Sequence, residues 1–285
     1  SIDIDGQLTS SWQGQSGRYL LPAVPECVSR AVHWAQVTQN PLDVESSAVE
    51  TPVLLTSEGF SPLFSMVVPP AMTGEKMVRK ESFWSESMGK EVLNPSLSLC
   101  DDGLLNGGMS SGSRDAEGVP RRRQMLVENG KLSNMLWSTR DAAQQVAEGR
   151  IEGACSTGSA SSGGHQSPPS TGCTELFLTS SQPSMTMEQL LETMGDGYIV
   201  NSVMGAHTAN PSSGDFSVTT SAILKVENGE IIGALKQAGL SGNLAKSLKG
   251  KLILGDDVRR QGSYSSGSMH LPDVLLMDGL RVNPA

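Results

Sequence analysis

Histidine and cysteine are the side chains best suited to bind a transition metal or to act as nucleophiles, and in this chain both are few and scattered. The histidines are His33, His165, His207 and His270, and the cysteines are Cys27, Cys100, Cys155 and Cys173. A zinc peptidase needs histidines that converge on one ion beside a carboxylate base, and no two of these histidines are close enough for a local motif. The nearest mixed set is Cys155, His165 and Cys173, whose spacings match no familiar zinc pattern.

Nucleophilic and phosphate-binding motifs are also missing. No Gly-x-Ser-x-Gly elbow follows a strand, and the nearby Ser266 and His270 share no triad geometry merely by being close in sequence. The glycine-rich run at residues 105–113 lacks the lysine of a phosphate-binding loop, so we interpret it as a surface loop.

Residues 205–217 combine polar and turn-forming residues immediately before the clearest strand of the chain. The candidates are His207, Asn210, Gly214, Asp215 and Phe216. Composition alone favours a loop that enters a strand, with Asn210 and Asp215 making turn hydrogen bonds. The alternative is a role in a peptide cleft or an interface, since loops on a rigid sheet often carry function.

The strand that follows shows period-two alternation over residues 215–226, with Phe216, Val218, Leu224 and Val226 predicted to face the core and Ile223 as an exception. Two segments, 125–132 and 224–231, each place Asn-Gly between β-prone flanks, which predicts two hairpins.

Helices interrupt this β-rich pattern. We predict helices over 28–37 and over 61–68, the latter stopped by Pro69 and Pro70. Three more should be capped by Ser138 or Thr139, by Thr186 in a capping box with Gln189, and by Asn243. Residues 156–172 are predicted to form a flexible loop. The order of elements predicts an α+β fold with a largely antiparallel sheet.

Composition restricts the class of protein. A net charge of −9 and a pI of about 5.0 argue against nucleic acid as a partner. No apolar run approaches the ~20 residues of a membrane span, and no signal peptide is visible, so we expect no membrane contact. Scattered cysteines in a chain of this length suggest reduced thiols and a cytoplasmic location.

Several motifs occur in the order found in one known family. Residues 205–231 contain a glycine-rich turn, Gly-Asp-Phe-Ser and Glu-Asn-Gly-Glu-Ile, and residues 241–257 contain a Gly-Asn-Leu helix and Gly-Asp-Asp. Residues 80–102, 113–132 and 186–200 add further matching stretches. With these motifs the chain resembles the TldD/PmbA (modulator of DNA gyrase) peptidase family from about residue 28 to residue 282. The resemblance implies the family's central and C-terminal domain at residues 28–285, with a barrel-like C-terminal sheet. It also implies a remnant of, or linker from, an N-terminal α/β domain at residues 1–27.

The resemblance also implies a division by metal ligands. TldD-like chains carry His-Glu-x-x-x-His after a Val-Leu-Leu strand and a cysteine near the C-terminus. Here Thr56, Ser57 and Ser266 stand at the ligand positions. The chain is therefore similar to the metal-less PmbA/TldE branch. It is expected to have no catalytic residue or cofactor of its own and to act on unfolded or modified peptides with a TldD-type zinc subunit. A non-enzymatic peptide-binding homodimer and an independent peptidase with an unrecognised site remain alternatives.

Overall fold

The structure is a computed structural model that describes residues 2–4, 7–14, 17–19, 24–43, 48–262 and 267–284. Its helices are α1 (Val24–Val37), α2 (Ser57–Ala71), α3 (Gly74–Val78), α4 (Thr139–Ala147), α5 (Met187–Met194) and α6 (Leu244–Ser247). Its strands are β1 (Ile2–Ile4), β2 (Gln7–Thr9), β3 (Val49–Glu50), β4 (Val53–Leu55), β5 (Leu97–Asp102), β6 (Arg123–Glu128), β7 (Lys131–Leu132), β8 (Ala160–Ser161), β9 (Ser170–Thr171), β10 (Glu175–Ser180), β11 (Gly197–Met204), β12 (Asp215–Glu227), β13 (Glu230–Leu235), β14 (Ala238–Asn243), β15 (Leu252–Leu254), β16 (Arg259–Gly262), β17 (Ser268–Leu271), β18 (Val274–Leu276) and β19 (Leu280–Pro284).

Two sheets carry most of these strands. A six-stranded sheet has the order β16-β17-β10-β5-β6-β7. A nine-stranded sheet has the order β15-β18-β4-β11-β12-β14-β19-β3, with β13 also paired to β12, and it curls into a half-barrel. Among the described strands of these sheets, only the pairs β10–β17 and β11–β4 run parallel. The predicted α+β class with a largely antiparallel, barrel-like sheet is confirmed.

Helix α2 is the centre of the main core and packs against strands of both sheets. Its Phe60, Leu63, Phe64 and Val67 are fully buried, together with apolar side chains from both sheets. Most of the side chains of α2 are apolar, and a helix with so little polar surface is stable only when most of it is buried in this way. The residues of α2 therefore place it inside the molecule.

The prediction for this helix was wrong at both ends, because α2 runs from Ser57 to Ala71 rather than over 61–68. It begins earlier because the hydroxyl of Thr56 caps it by accepting the N–H of Gly59. It continues through Pro69 and Pro70 although a proline costs roughly 3 kcal/mol in a helix interior. Burial of the helix against two sheets outweighs that cost.

The other face of the nine-stranded sheet is covered by α1 and α5. A second core contains Trp34 of α1, Leu190 and Met194 of α5, and Ile199, Leu224 and Leu275 of the sheet, together with further apolar side chains. The central strands are consequently buried on both faces. Helix α1 also begins at Val24, four residues before the predicted start.

The long strand β12 has the predicted position, and its four predicted core side chains are all buried. The prediction that they face one core was wrong: Phe216 and Val218 belong to the main core, whereas Leu224 and Val226 belong to the second core. The pairing with β11 skips Ser221, so β12 contains one extra residue there. An extra residue reverses the side-chain alternation beyond it, which explains why Ile223 broke the pattern.

Both Asn-Gly hairpins are present. Asn129 and Gly130 have φ of 48° and 79° between β6 and β7, and Asn228 and Gly229 have φ of 50° and 79° between β12 and β13. Ser138, Thr186 and Asn243 cap α4, α5 and α6 as predicted, with the full capping box at Thr186.

Residues 156–172 are not the flexible loop that their composition predicted. Thr157, Ser159 and Ala160 are buried, and β8 pairs with β9. Small hydroxyl side chains fasten the segment, since Thr157 Oγ1 accepts the N–H of Trp137 and Thr171 Oγ1 donates to Asp141 at 2.6 Å. The one continuous exposed stretch of the segment is its tip, residues 162–168.

Across the described ranges, no helix combines the length and the apolar character needed to cross a membrane.

Candidate functional site

The N-terminus of α2 is held by a set of buried polar contacts. Thr56 Oγ1 donates to Asn201 Oδ1 at 2.8 Å, and the backbone N–H of Ser57 donates to Asp273 Oδ1 at 2.7 Å. The second contact satisfies a backbone N–H that the helix terminus would otherwise leave unpaired, and the first holds the hydroxyl that caps the helix. Gly59 lets the helix approach the sheet, since a Cβ there would lie 2.3 Å from the carbonyl oxygen of Val200.

A network of ion pairs joins this terminus to α1 and to the chain before β16. Arg30 of α1 contacts Glu58 Oε1 at 3.3 Å and Asp257 Oδ2 at 3.0 Å. Arg259 contacts Asp257 Oδ2 at 2.9 Å and Glu26 Oε1 at 3.3 Å, and its Nε lies 3.9 Å from Glu58 Oε1. Although burial opposes it, the hydrogen bond with Asp257 raises the pKa of Arg259 above its usual value. The carboxylate of Glu58 therefore lies between two guanidinium groups.

Asp273 has a different environment. It is 4% exposed, and burial together with the carboxylates of Asp257 and Glu58 raises its pKa to about 7, against the opposing effects of the Ser57 N–H and Arg30. It is a buried carboxylate that no cation contacts directly among the described residues.

A cleft of about 1150 Å³ opens beside this helix terminus. Its walls come from α2, from β11 and β12, from the end of β16, and from residues 9–12 and 38–41. Asn201 and Ser221 both line it, and each is the extra residue of an irregularity in the pairing between β11 and β12. β-bulges occur frequently beside active sites because they redirect side chains. Most of the lining residues have polar side chains, including serines on α2, β11 and β12.

The edge strand β16 borders the same cleft. It is the terminal strand of the six-stranded sheet, and its Gln261 and Gly262 line the cleft. An edge strand presents unpaired backbone N–H and C=O groups, to which an extended segment can add as a further strand. The cleft therefore combines polar lining residues with a strand that is terminal in its sheet among the described residues.

A second cavity of about 370 Å³ adjoins the cleft, and the two share Glu58 and Gln261. His270 lines it, with its Nε2 2.9 Å from Glu175 Oε2 and its ring stacked on Phe177 at 4.0 Å. Although burial of Glu175 opposes it, the hydrogen bonds from His270 and from the Ser110 N–H lower the pKa of this fully buried carboxyl. The pair fixes the orientation of His270 at the cavity wall.

The side chains at the α2 terminus do not fit a zinc ion. Catalytic zinc normally has three protein ligands of the His, Cys or carboxylate type. Thr56 Oγ1 is engaged with Asn201, Ser57 Oγ donates to Glu58 at 3.1 Å, and Glu58 is paired with Arg30. Within the described part of the chain, no three His, Cys, Asp or Glu side chains are placed to hold a metal ion. Ser266, the remaining ligand position of the family pattern, lies outside the described residues.

The candidates at the entry to β12 are not among the residues that line the cleft. Asn210 and Gly214 close a turn in which the N–H of Gly214 donates to the carbonyl of Asn210 at 2.8 Å. Asp215 accepts from Ser213 and Asn243, and the hydrogen bond from Ser213, ahead of that from Asn243, lowers its pKa. Phe216 is buried in the main core. His207 is exposed, and its role at a peptide cleft or an interface stays a prediction.

Sequence reasoning missed the charged residues of the site. The sequence patterns predict no role for Glu58, Arg30, Asp257, Arg259 or Asp273. Arg30 lies 28 residues from Glu58 along the chain and 227 from Asp257. No local spacing could reveal that association, although the Gly-Asp-Asp at residues 255–257 marked part of it.

A curled sheet around one buried helix, with a cleft at the helix N-terminus, is the fold of a metallopeptidase C-terminal domain. The family profile described as "PmbA/TldA metallopeptidase C-terminal domain" matches residues 48–283. The chain belongs to the PmbA/TldD metallopeptidase family.

Individual relatives agree with this assignment. An uncharacterised protein of Methanocaldococcus jannaschii is 30% identical over 217 residues, which are 76% of this chain and 48% of that protein. Metalloprotease PmbA of Escherichia coli O157:H7 is 29% identical over 228 residues, 80% of this chain and 46% of that protein. The chain thus spans about half the length of these relatives.

The crystal structure of TldE from Thermococcus kodakarensis has the same fold, with a TM-score of 0.78 at 23% identity. The match covers 92% of this chain and 56% of that one.

Proposed function

We propose that this chain is the metal-less, PmbA/TldE-like subunit of a TldD-type metallopeptidase complex that processes unfolded or modified peptides in the cytoplasm. The partner supplies the zinc and the hydrolytic chemistry. This chain supplies a peptide-binding cleft and part of the subunit interface.

The observation that carries the proposal is the pairing of Glu58 with Arg30 at the N-terminus of α2. In the metal-bearing branch that terminus carries ligands, whereas here it carries hydroxyl groups and a carboxylate that is already neutralised. A carboxylate held by a guanidinium is a poor metal ligand and a poor general base, since both roles need its free lone pairs.

The cleft supports the peptide-binding part. Its polar lining and the edge of β16 suit the main chain of an extended segment, which offers N–H and C=O groups whatever its side chains are. Such recognition demands an unfolded substrate more than a particular sequence.

The test combines the purified chain with a TldD-type subunit. We expect the chain alone to contain no stoichiometric zinc by elemental analysis and to leave an unfolded peptide intact. Adding it to the partner should raise hydrolysis above the rate of the partner alone. One tightly held zinc per chain, or hydrolysis by the lone chain that a chelator abolishes, would favour an independent peptidase.

Two variants of β12 test the cleft. Ser221→Arg places a long side chain in the cleft, whereas Ser217→Arg makes the same change at an exposed position of the same strand outside it. Ser221→Arg should reduce the gain in hydrolysis while leaving complex formation unchanged, and Ser217→Arg should leave both unchanged. Equal behaviour of the two would exclude the cleft as the peptide site. Peptide binding without any gain in hydrolysis would indicate the non-enzymatic binding protein instead.

A further inference from the structure

A third cavity, of about 480 Å³, lies behind the ion-pair network and away from the cleft lining. It is bounded by α1, by Thr56 at the N-terminus of α2, and by α5 with the residue Met185 before it. Residues 255–257 and Asp273 complete the wall. Its volume is within the range of about 300–1,000 Å³ typical of small-ligand sites. It shares Glu26 and Asp257 with the 370 Å³ cavity.

The wall along α1 and α5 is apolar. It consists of Trp34, Met185, Met187 and Leu190, of which Trp34 and Leu190 are buried. Methionine and tryptophan provide a polarizable surface that accommodates alkyl groups. This side of the cavity is suited to an apolar stem.

Charged and titratable residues complete the lining of the cavity. Its carboxylates are Glu26, Asp256, Asp257 and Asp273, and its cationic or titratable groups are Arg30 and His33. Arg30 is committed to Glu58 and Asp257, Arg259 from the neighbouring cavity is committed to Glu26 and Asp257, and His33 is exposed. Asp256 is also exposed, so Asp273 is the buried carboxylate left without a cation.

The geometry of Asp273 directs one oxygen to the cavity. Oδ1 accepts the N–H of Ser57, whereas Oδ2 has no hydrogen-bond or ion-pair partner among the described residues, although the residue is only 4% exposed. This oxygen is not one of the fully buried polar atoms that lack a partner, so it keeps some access to the cavity that Asp273 lines. A bound cation would replace only the limited hydration that a residue exposed to 4% can have. Gly255 keeps the space beside it open, since a Cβ there would lie 3.1 Å from Asp273 Cβ and 3.3 Å from Leu190 Cδ1.

We propose that this cavity binds a primary ammonium carried on an apolar stem, the chemistry of a lysine side chain, with Asp273 Oδ2 as its acceptor. One free oxygen matches the point charge of an ammonium better than the two-pronged guanidinium, which needs two acceptors for its strongest geometry. A divalent metal would need several oxygen ligands, and the cavity offers one unpaired buried carboxylate. The apolar wall holds the stem. The proposal does not depend on the subunit role proposed above.

The test uses two probes that differ only in the ammonium. N-acetyl-lysine N-methylamide and N-acetyl-norleucine N-methylamide are titrated into the full chain at pH 8, and binding is followed by calorimetry and by NMR. We expect saturable binding of the lysine compound that is about tenfold or more tighter than that of the norleucine compound, as for a buried ion pair. Equal binding of both probes, or binding of neither, would overturn the proposal.

Three variants locate the site. Asp273→Asn keeps an acceptor for the Ser57 N–H and should weaken the lysine compound to the level of the norleucine compound. Gly255→Ala should weaken both compounds by filling the space beside Asp273. Asp278→Asn removes the same charge at an exposed position outside the cavity and should change neither. Unchanged lysine binding in both Asp273→Asn and Gly255→Ala would place the ammonium elsewhere and refute this assignment.

Discussion

At the scale of single residues, the site depends on which carboxylates have a cation and which do not. Glu58 and Asp257 are paired with arginines, whereas Asp273 is buried beside two other carboxylates and holds its proton up to a pKa of about 7. The same α2 terminus therefore contains a neutralised carboxylate and an uncompensated one. The neutralised Glu58 supports a chain that binds no metal, and the uncompensated Asp273 supports an ammonium site.

The raised pKa of Asp273 should make the free energy of unfolding depend on pH. In the unfolded chain its carboxyl has an ordinary pKa of 3.8, so between about pH 4 and pH 7 the folded protein binds more protons and its contribution to stability falls as pH rises. Asp273→Asn removes this loss. The free energy of unfolding of the variant should exceed that of the wild type by roughly 1–3 kcal/mol at pH 8, and the difference should shrink or reverse at pH 4.

Urea denaturation at the two pH values measures this difference. Asp101, whose pKa burial raises to about 6, contributes equally to both proteins and cancels in the comparison. A variant whose stability difference from wild type is the same at pH 4 and pH 8 would show that Asp273 does not titrate as described.

At the scale of elements, the packing of α2 and of the hairpins against neighbouring segments determines the fold. The two Asn-Gly hairpins share one turn conformation but not one environment. A Cβ on Gly130 would lie 2.7 Å from the carbonyl oxygen of Leu93, whereas the nearest atom to a Cβ on Gly229 is 3.3 Å away. Both glycines have φ of 79°, so the conformational cost of replacing either of them is the same.

Substitution of each glycine by alanine separates these two costs. Both variants should lose about 1 kcal/mol for the left-handed conformation, and Gly130→Ala should lose roughly 1–3 kcal/mol more because backbone atoms must move. Thermal or chemical denaturation of the matched pair measures the difference. Equal losses would mean that the turn at Gly130 is less closely packed than its contacts indicate.

At the scale of the whole molecule, the open question is what contacts the turn that precedes β12. His207 and Asn210 are exposed on it, and they lie outside the residues that line the cleft. The turn follows directly on β11, whose Val203 lines the cleft, and it ends where β12 begins at Asp215. A partner subunit that contacts the turn therefore lies close to one end of the cleft.

We predict that the chain forms a dimer whose interface buries at least about 1,000 Å² and includes this turn. His207→Ala combined with Asn210→Ala should reduce complex formation with a TldD-type partner and the gain in hydrolysis, without lowering the melting temperature. His165→Ala, an exposed change in the 156–172 segment, is the control. Complex formation is measured by sedimentation, and a double variant that assembles like the wild type would remove the turn from the interface.

The sequence by itself determined the features that depend on local chemistry. The Asn-Gly turns, the caps at Ser138, Thr186 and Asn243, and the position of β12 all depend on residues within a few positions of one another. The family was also readable, because its motifs occur in order along the chain. Each of these signals is carried by neighbouring residues, so no knowledge of the fold was needed.

The tertiary structure alone decided the features that join distant segments. The bulge at Ser221 depends on pairing with β11, and it sends Val218 and Leu224 to different cores. Burial against two sheets allows α2 to continue through its prolines. Hydrogen bonds from small hydroxyl side chains hold residues 156–172 in place, although their composition predicts a flexible loop. The ionic site joins Arg30, Glu58 and Asp257 from separate segments. Charge pairing acts through space, and only the folded chain sets which carboxylate receives an arginine and which is left buried without a cation.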